Sequence, residues 1–255
     1  MRTARRGRRL MRHGAACVAI ALLCAACDAG GTFGPPSPVT HEADRIAGLW
    51  DLFFWAAVVV SAVVLGLLLW AVTRYRARGA SDLPRQTRQH LALEVVWTAI
   101  PVAIVVGLFA ATYGVERPVD DVSSNADVVV DVTGFNWQWR FTYVGHGVSL
   151  VGTPDHQPIL VLPQGRNVRF DLTSEDVIHA FYVPGFLFKR DAIPGRTTTF
   201  DVVPSTTGDY LGECAEFCGL NHAFMRFTIR IVPASEFDAW IARVGASPST
   251  PPGSA

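Results

Sequence analysis

At 255 residues the chain is long enough for one globular domain with additional segments. Half of it is apolar, and its 22 basic residues are balanced by 22 acidic ones. That composition excludes a basic nucleic-acid binder and a chain too polar to bury a core. The charges are unevenly distributed, and the segments are best taken in chain order.

Residues 1–27 open with Arg2, Arg5, Arg6, Arg8, Arg9 and Arg12, with no acid among the first twelve, and continue into an apolar run from Ala15 to Ala26. This is the layout of a secretory signal, and the run is too short to span a bilayer. It ends Leu22-Leu23-Cys24-Ala25-Ala26-Cys27. The small residues before Cys27 are similar to a lipoprotein cleavage box with Cys27 as the acylated residue, although Cys24 stands where a leucine is usual. A retained anchor helix is the alternative. Residues 28–48 read as an extracytoplasmic spacer, with Gly and Pro concentrated between Gly30 and Pro38.

Residues 49–115 read as a transmembrane hairpin. Leu52–Val72 and Val95–Val115 are each 21 residues without a charge, about the ~20 residues that a spanning helix requires. Pro101 is expected in the first two turns of the second helix, where a missing N–H donor matters least. The intervening loop carries Arg74, Arg76, Arg78, Arg85 and Arg88 against Asp82, whereas only Arg45 lies in the short segment before the first span. The positive-inside rule therefore sets this loop in the cytoplasm and everything after Gly114 outside. Trp50, Trp55, Trp70 and Trp97 near the span ends fit interfacial belts. Glu94, at the cytoplasmic mouth of the second span, either reaches the headgroup region or serves as a proton-uptake group in a larger assembly.

Residues 116–245 change character. Period-two alternation replaces helical periodicity from Asp127 onward. Strands are expected at Val128–Val132, Trp137–Tyr143, Ile159–Leu162, Asn167–Leu172, Ile178–Val183, Thr197–Val203, Asp209–Gly212 and Phe224–Val232. Turn signals such as Pro163-Gln164-Gly165 and Pro194-Gly195 separate them. Many short strands at this spacing read as an all-β sandwich or barrel. A closing helix is expected over Ser235–Val244 with Ser235 as N-cap, and residues 246–255 read as a disordered tail. Between Val115 and Gly245 sixteen acidic residues face ten basic ones, and Lys189 is the only lysine in the chain. An acidic head attracts a basic partner and repels nucleic acid.

The densest chemistry lies in Gly212-Glu213-Cys214-Ala215-Glu216-Phe217-Cys218-Gly219-Leu220-Asn221-His222-Ala223-Phe224-Met225, where two thiols, an imidazole and a thioether occur together. A second imidazole, His179, closes Ser174-Glu175-Asp176-Val177-Ile178-His179 upstream. Soft sulfur with borderline nitrogen suits copper. A single-copper site uses one cysteine, so a second thiolate argues for two ions sharing bridging sulfurs. The backbone carbonyl of Glu216 is a further donor, and Gly212 and Gly219 suggest that the motif is a loop. Such a set leaves no open coordination position, which suits electron transfer and not substrate binding. A Cys214–Cys218 disulfide is the alternative for an exported domain, but it leaves His222 and Met225 unexplained. Zinc on two cysteines and two histidines is another, but it has no use for Met225.

These motifs, with Asp191-Ala192-Ile193-Pro194-Gly195-Arg196, resemble subunit II of cytochrome c oxidase over roughly residues 45–243. The resemblance implies a cupredoxin-like head on a two-helix hairpin and a dinuclear copper (CuA) centre. Its ligands would be His179, Cys214, Glu216 through its carbonyl, Cys218, His222 and Met225. It further implies magnesium at the border with the catalytic subunit through the Glu216 carboxylate. Trp137, in Gly134-Phe135-Asn136-Trp137-Gln138-Trp139, would receive electrons at the docking surface, and Glu94 would stand at the mouth of a proton channel. Asp191 and Arg196 would be border residues or plain turn residues. The implied activity is that of the electron-accepting subunit of an aa-type, proton-pumping oxidase in a bacterial plasma membrane. Its implied partners are subunits I and III and a cytochrome c, or cytochrome c domain, as donor. The chain has no Cys-x-x-Cys-His motif, because Asp28 follows Cys27, so no donor haem is expected on it.

Overall fold

The computed structural model describes residues 34–76, 89–153 and 155–246. The expected signal with Cys27, the spacer up to residue 33, the loop residues Arg78, Asp82, Arg85 and Arg88, and the tail from residue 247 lie outside the described residues. The chain divides into two units, residues 1–37 and 38–255. Of the first, residues 34–37 are described and form neither helix nor strand.

The second unit begins with two helices, α1 (His41–Arg74) and α2 (Leu91–Asp120). Their 34 and 30 residues correspond to about 50 and 45 Å at 1.5 Å per residue, against a hydrocarbon core about 30 Å thick. Both are long and apolar enough to cross a membrane, and none of the most apolar stretch of either is buried by protein. Each encloses the expected span and continues beyond it. Residues 41–48, expected as spacer, are the first turns of α1. The reason is a well-made start: the Thr40 hydroxyl accepts from Ala43 N–H at 3.1 Å. The Glu42 carboxylate accepts from Val203 N–H at 3.0 Å, His41 N–H donates to the Val203 carbonyl at 3.0 Å, and Ser205 N–H donates to Val39 at 2.8 Å. Thr40 and Ala43 are fully buried against the head. At the other end α2 runs on to Asp120, which pairs with Arg190 of the head. Pro101 lies in the interior of α2, not in its first two turns, because the helix begins at Leu91.

Among the described residues the head contains ten strands: β1 (Val128–Phe135), β2 (Gln138–Tyr143), β3 (Val148–Val151), β4 (Ile159–Pro163), β5 (Val168–Ser174), β6 (His179–Tyr182), β7 (Lys189–Ala192), β8 (Thr198–Val202), β9 (Gly208–Cys214) and β10 (Arg226–Val232). They form two five-stranded sheets, ordered β3-β2-β1-β5-β8 and β4-β10-β9-β6-β7. Alternation drives the layering. In β1 Val128, Val130 and Val132 are buried and Asp131 is exposed, and in β5 Val168, Phe170 and Leu172 face the same way. Aromatic rings fill the space between the sheets. Phe181 stacks on Phe227 with centroids 4.8 Å apart, Phe170 stacks on Phe200 at 5.0 Å, and Trp139 meets Phe227 edge-on at 5.6 Å. The buried Tyr143 hydroxyl joins β2 to β4 of the opposite sheet, donating to the Val161 carbonyl and accepting from Val161 N–H, each at 2.8 Å. A final helix, α3 (Ala234–Gly245), buries Phe237 and Ile241 against the sandwich.

The all-β double sheet on a helical hairpin agrees with the sequence reading, with local corrections. β3 and β7 were not expected. Each is only four residues long, and Lys-Arg-Asp-Ala in β7 carries no apolar alternation, with Ala192 alone buried. The N-cap of α3 is Pro233, without a side-chain cap, and Ser235 is already helical. Gly212 is a strand residue of β9, not a loop glycine. It pairs with Phe227, and a Cβ at this position would fall 2.1 Å from the Phe227 ring. Gly212→Ala should therefore destabilise the head by about 1–3 kcal/mol through overpacking. Denaturant titration of the purified chain would measure this, and adding Phe227→Leu should recover part of the loss.

Candidate metal centre

The sulfur-rich loop joins β9 to β10. Cys214 is the last residue of β9, and Met225 immediately precedes β10. Antiparallel pairing of the two strands brings the loop ends together, with Cys214 N–H donating to the Met225 carbonyl at 3.0 Å. On the other side of β9, Phe181 of β6 pairs with Cys214. This register sets His179, the first residue of β6, beside the same cysteine. Between Cys214 and Met225 the chain bends through Gly219, whose φ of +118° favours glycine, and makes a single 3-10 turn at His222–Phe224.

All six expected donors converge. Cys214 Sγ lies 3.8 Å from His179 Nδ1, 3.2 Å from the Glu216 carbonyl oxygen and 3.8 Å from Cys218 Sγ. Cys218 Sγ lies 3.6 Å from His222 Nδ1 and 3.8 Å from Met225 Sδ. His179, Cys214, Cys218 and Met225 are buried, and His222 is half-buried. Both cysteines are free. Their separation exceeds the roughly 2.05 Å of a covalent S–S bond, so the disulfide alternative does not hold. The set of two thiols, two imidazoles, a thioether and a carbonyl fits copper. Zinc on two cysteines and two histidines would leave the fully buried Met225 sulfur without a role.

The electrostatics divide the two thiols. Burial pushes Cys214 up, but His179 and the backbone at Glu216 and Ala180 outweigh it and hold this thiol below its ordinary value. Burial, and then the charge of Cys214, push Cys218 up. Burial lowers the proton affinity of His179, yet Cys214 and Asp176 more than offset this and raise it. Burial likewise opposes the Asp176 charge, but His179 and the amides of Val177 and Asn136 keep its carboxyl below the usual range.

Trp137 stands beside the loop, half-buried, and its indole N–H donates to the Cys218 carbonyl at 3.1 Å. The Glu216 carboxylate points away from the sulfurs to Lys189 Nζ at 3.1 Å, and Asp191 approaches the same ammonium at 3.7 Å. Glu94 lies apart from this site, at the start of α2. Its carboxylate accepts from His90 N–H at 3.2 Å while His90 Nδ1 accepts from Leu93 N–H at 3.3 Å, a reciprocal helix cap. Arg196 occupies a tight turn in which its N–H donates to the Ile193 carbonyl at 3.3 Å. Two site residues were not singled out by sequence. Gly134 of β1 passes so close to His179 that a Cβ would lie 2.9 Å from the imidazole Cδ2. Asp176 Oδ1 lies 2.8 Å from His179 Nε2. Their only sequence signals are a glycine inside an alternating strand and an acid three residues before a histidine.

Comparisons with known proteins place similar chains in one family. The family profile described as cytochrome c oxidase subunit II, transmembrane domain, matches residues 34–114, and that described as the periplasmic domain of the same subunit matches residues 149–232. A probable cytochrome c oxidase subunit 2 of Streptomyces avermitilis is 38% identical over 243 residues, covering 80% of this chain and 76% of the relative. Cytochrome c oxidase subunit 2 of Mycobacterium tuberculosis is 32% identical over 267 residues, covering 82% and 74%. Among solved structures, the periplasmic domain of subunit II of the Bradyrhizobium japonicum cytochrome oxidase is 35% identical. It covers 48% of this chain and 96% of that chain, with a TM-score of 0.44.

Because His179 has no room to retreat, Gly134→Ala should displace the imidazole and weaken copper retention by about 10–100-fold, the range for disturbed ligand support. Competition with a copper chelator would measure this. Wild-type retention in the variant would show that the close approach of β1 is immaterial.

Proposed function

This chain belongs to the subunit II family of cytochrome c oxidase, and on that premise we propose that Cys214 and Cys218, with His179, His222, Met225 and the Glu216 carbonyl, would hold two copper ions. Members of the family are subunits of a haem-copper terminal oxidase, an oxidoreductase, and a CuA-type domain implies that electrons pass into the oxidase through it. The chain is accordingly a membrane protein with an extracytoplasmic head, and its family implies copper. The finer reading is that of an aa-type, proton-pumping enzyme in a bacterial plasma membrane, working with subunits I and III and fed by a cytochrome c or cytochrome c domain.

One observation carries the proposal: the six donor groups form a continuous series of contacts between 3.2 and 3.8 Å, with the two sulfurs at its middle. Copper held there would supply a one-electron couple. The protein does the rest. His179 and His222 close opposite ends of the sulfur pair, and Met225 adds a weak sulfur donor from the core side. Burial of both cysteines excludes water, and strands β6, β9 and β10 hold the donors against movement. Trp137 marks the point of electron entry, since its indole is one hydrogen bond from the backbone of a ligand. The net acidity of the head attracts a basic donor.

Two peripheral roles complete the reading. The Glu216 carboxylate, half-exposed beside Lys189, would offer magnesium one oxygen, and the rest of a six-oxygen shell would fall to water and the partner subunit. Glu94, solvent-accessible at the start of α2 while capping it, is the group from which a proton could move toward the partner.

The purified, copper-loaded chain should hold two coppers and give a seven-line hyperfine pattern in electron paramagnetic resonance. One copper at saturation, or a spin confined to one ion, would refute the assignment. Met225→Leu should retain copper but shift its potential, whereas an unchanged potential would remove Met225 from the ligand set. Turnover with a basic cytochrome c should weaken as salt rises past about 0.1 M, where screening acts within about 10 Å. A flat response would exclude electrostatic docking.

A further inference from the structure

We propose that Asp176 is a positioning residue that fixes the His179 ligand and, through the Asn136 amide, holds the Trp137 loop in register with that same ligand. The proposal rests on the copper reading above and goes beyond it, because Asp176 is not among the donors.

Ionised, a carboxylate only accepts hydrogen bonds, through about four lone-pair directions. Those of Asp176 are taken by the protein. Oδ1 accepts from Val177 N–H at 2.6 Å and is approached by the Ser174 hydroxyl at 3.4 Å and by His179 Nε2 at 2.8 Å. Oδ2 accepts from Asn136 N–H at 2.6 Å. The pairing with His179 decides the tautomer. With Nε2 carrying the proton toward the carboxylate, Nδ1 keeps its lone pair toward Cys214. The imidazole is wholly buried, with Trp139 edge-on at 6.1 Å and Gly134 close behind it. Asp176 is thus the polar partner that meets its buried N–H.

The second link reaches the electron-accepting side. Asn136 precedes Trp137, and the Trp137 indole returns to Cys218. The short connection between β1 and β2 is therefore tied to the ligand set at two points, to His179 through Asp176 and to Cys218 directly. The neighbouring acid has no such ties. The Glu175 side chain pairs with Arg140 at 2.6 Å and is 51% exposed, whereas that of Asp176 is 29% exposed. Two adjacent carboxylates of equal charge thus differ in whether they touch the site.

That difference supplies the test, in the assembled oxidase with copper loaded. Asp176→Ala should lose copper to a chelator about 10–100-fold more readily than wild type, with an altered hyperfine pattern and a raised reduction potential, because a negative charge near the site is gone. Asp176→Asn keeps an acceptor without the charge, so it should restore copper retention while the potential stays raised. Glu175→Gln should leave retention and spectrum unchanged. The proposal is overturned if Asp176→Ala retains copper and potential like wild type and only raises KM for cytochrome c, the behaviour of a docking charge. It is also overturned if Glu175→Gln reproduces every effect of Asp176→Ala. A wild-type enzyme without a copper pair would remove the copper reading itself, an outcome distinct from either.

Discussion

A single backbone hydrogen bond, Cys214 N–H to the Met225 carbonyl, closes the loop on which the site depends. It is the last rung of the β9–β10 ladder, whose register Phe227–Gly212 and Arg226–Glu213 leads directly into it. Because the strands already hold the loop ends together, little further entropy is lost in ordering the residues between them. The two sulfurs reach van der Waals contact without bonding, close enough to share metal ions. Gly212 makes this closure feasible by leaving room for the Phe227 ring, which belongs to the aromatic stack of the core. Packing two residues before the first ligand therefore governs the geometry of the ligand itself.

The site also needs both sheets. Cys214 and His179 come from β9 and β6 of one sheet, while Gly134, Trp137 and Trp139 come from β1, β2 and their connection in the other. His179 is confined between them, with Gly134 and Trp139 on one side and Cys214 on the other. Such a centre cannot assemble before the sandwich closes. Rigidity then follows from the fold: His179 and Cys214 lie in paired strands, and Met225 is tied to Cys214 by the closing hydrogen bond. The same coupling extends toward the membrane, where Glu42 and Asp120, near the outer ends of α1 and α2, are tied to Val203 and Arg190 of the head.

Glu94 shows how a fold can give a charged residue a structural partner. From sequence it is an acid near a span end, suited to headgroups or to protons. In three dimensions it caps α2 reciprocally with His90. The cap explains why an acid is tolerated there, since a helix N-terminus favours negative charge.

Patterns that depend on period and composition were legible without coordinates. The two spans declared themselves because twenty uncharged residues have few other stable environments, and eight strands did so because one face of each meets a core. The candidate donor set was legible because soft sulfur beside borderline imidazole nitrogen suits copper. Strands β3 and β7 were not legible, since each is four residues long and buries a single residue, Val148 or Ala192, too little to impose a pattern. The helical start at His41 depended on Glu42 finding Val203, a partner 161 positions away. Gly134, Gly212 and Asp176 acquired meaning only when folding brought His179 and Phe227 against them. Sequence by itself determined which atoms can bind the metal, because donor chemistry is a property of each side chain. Tertiary structure alone decided which groups support those atoms and hold them in place, because contact across two sheets is a property of no single segment.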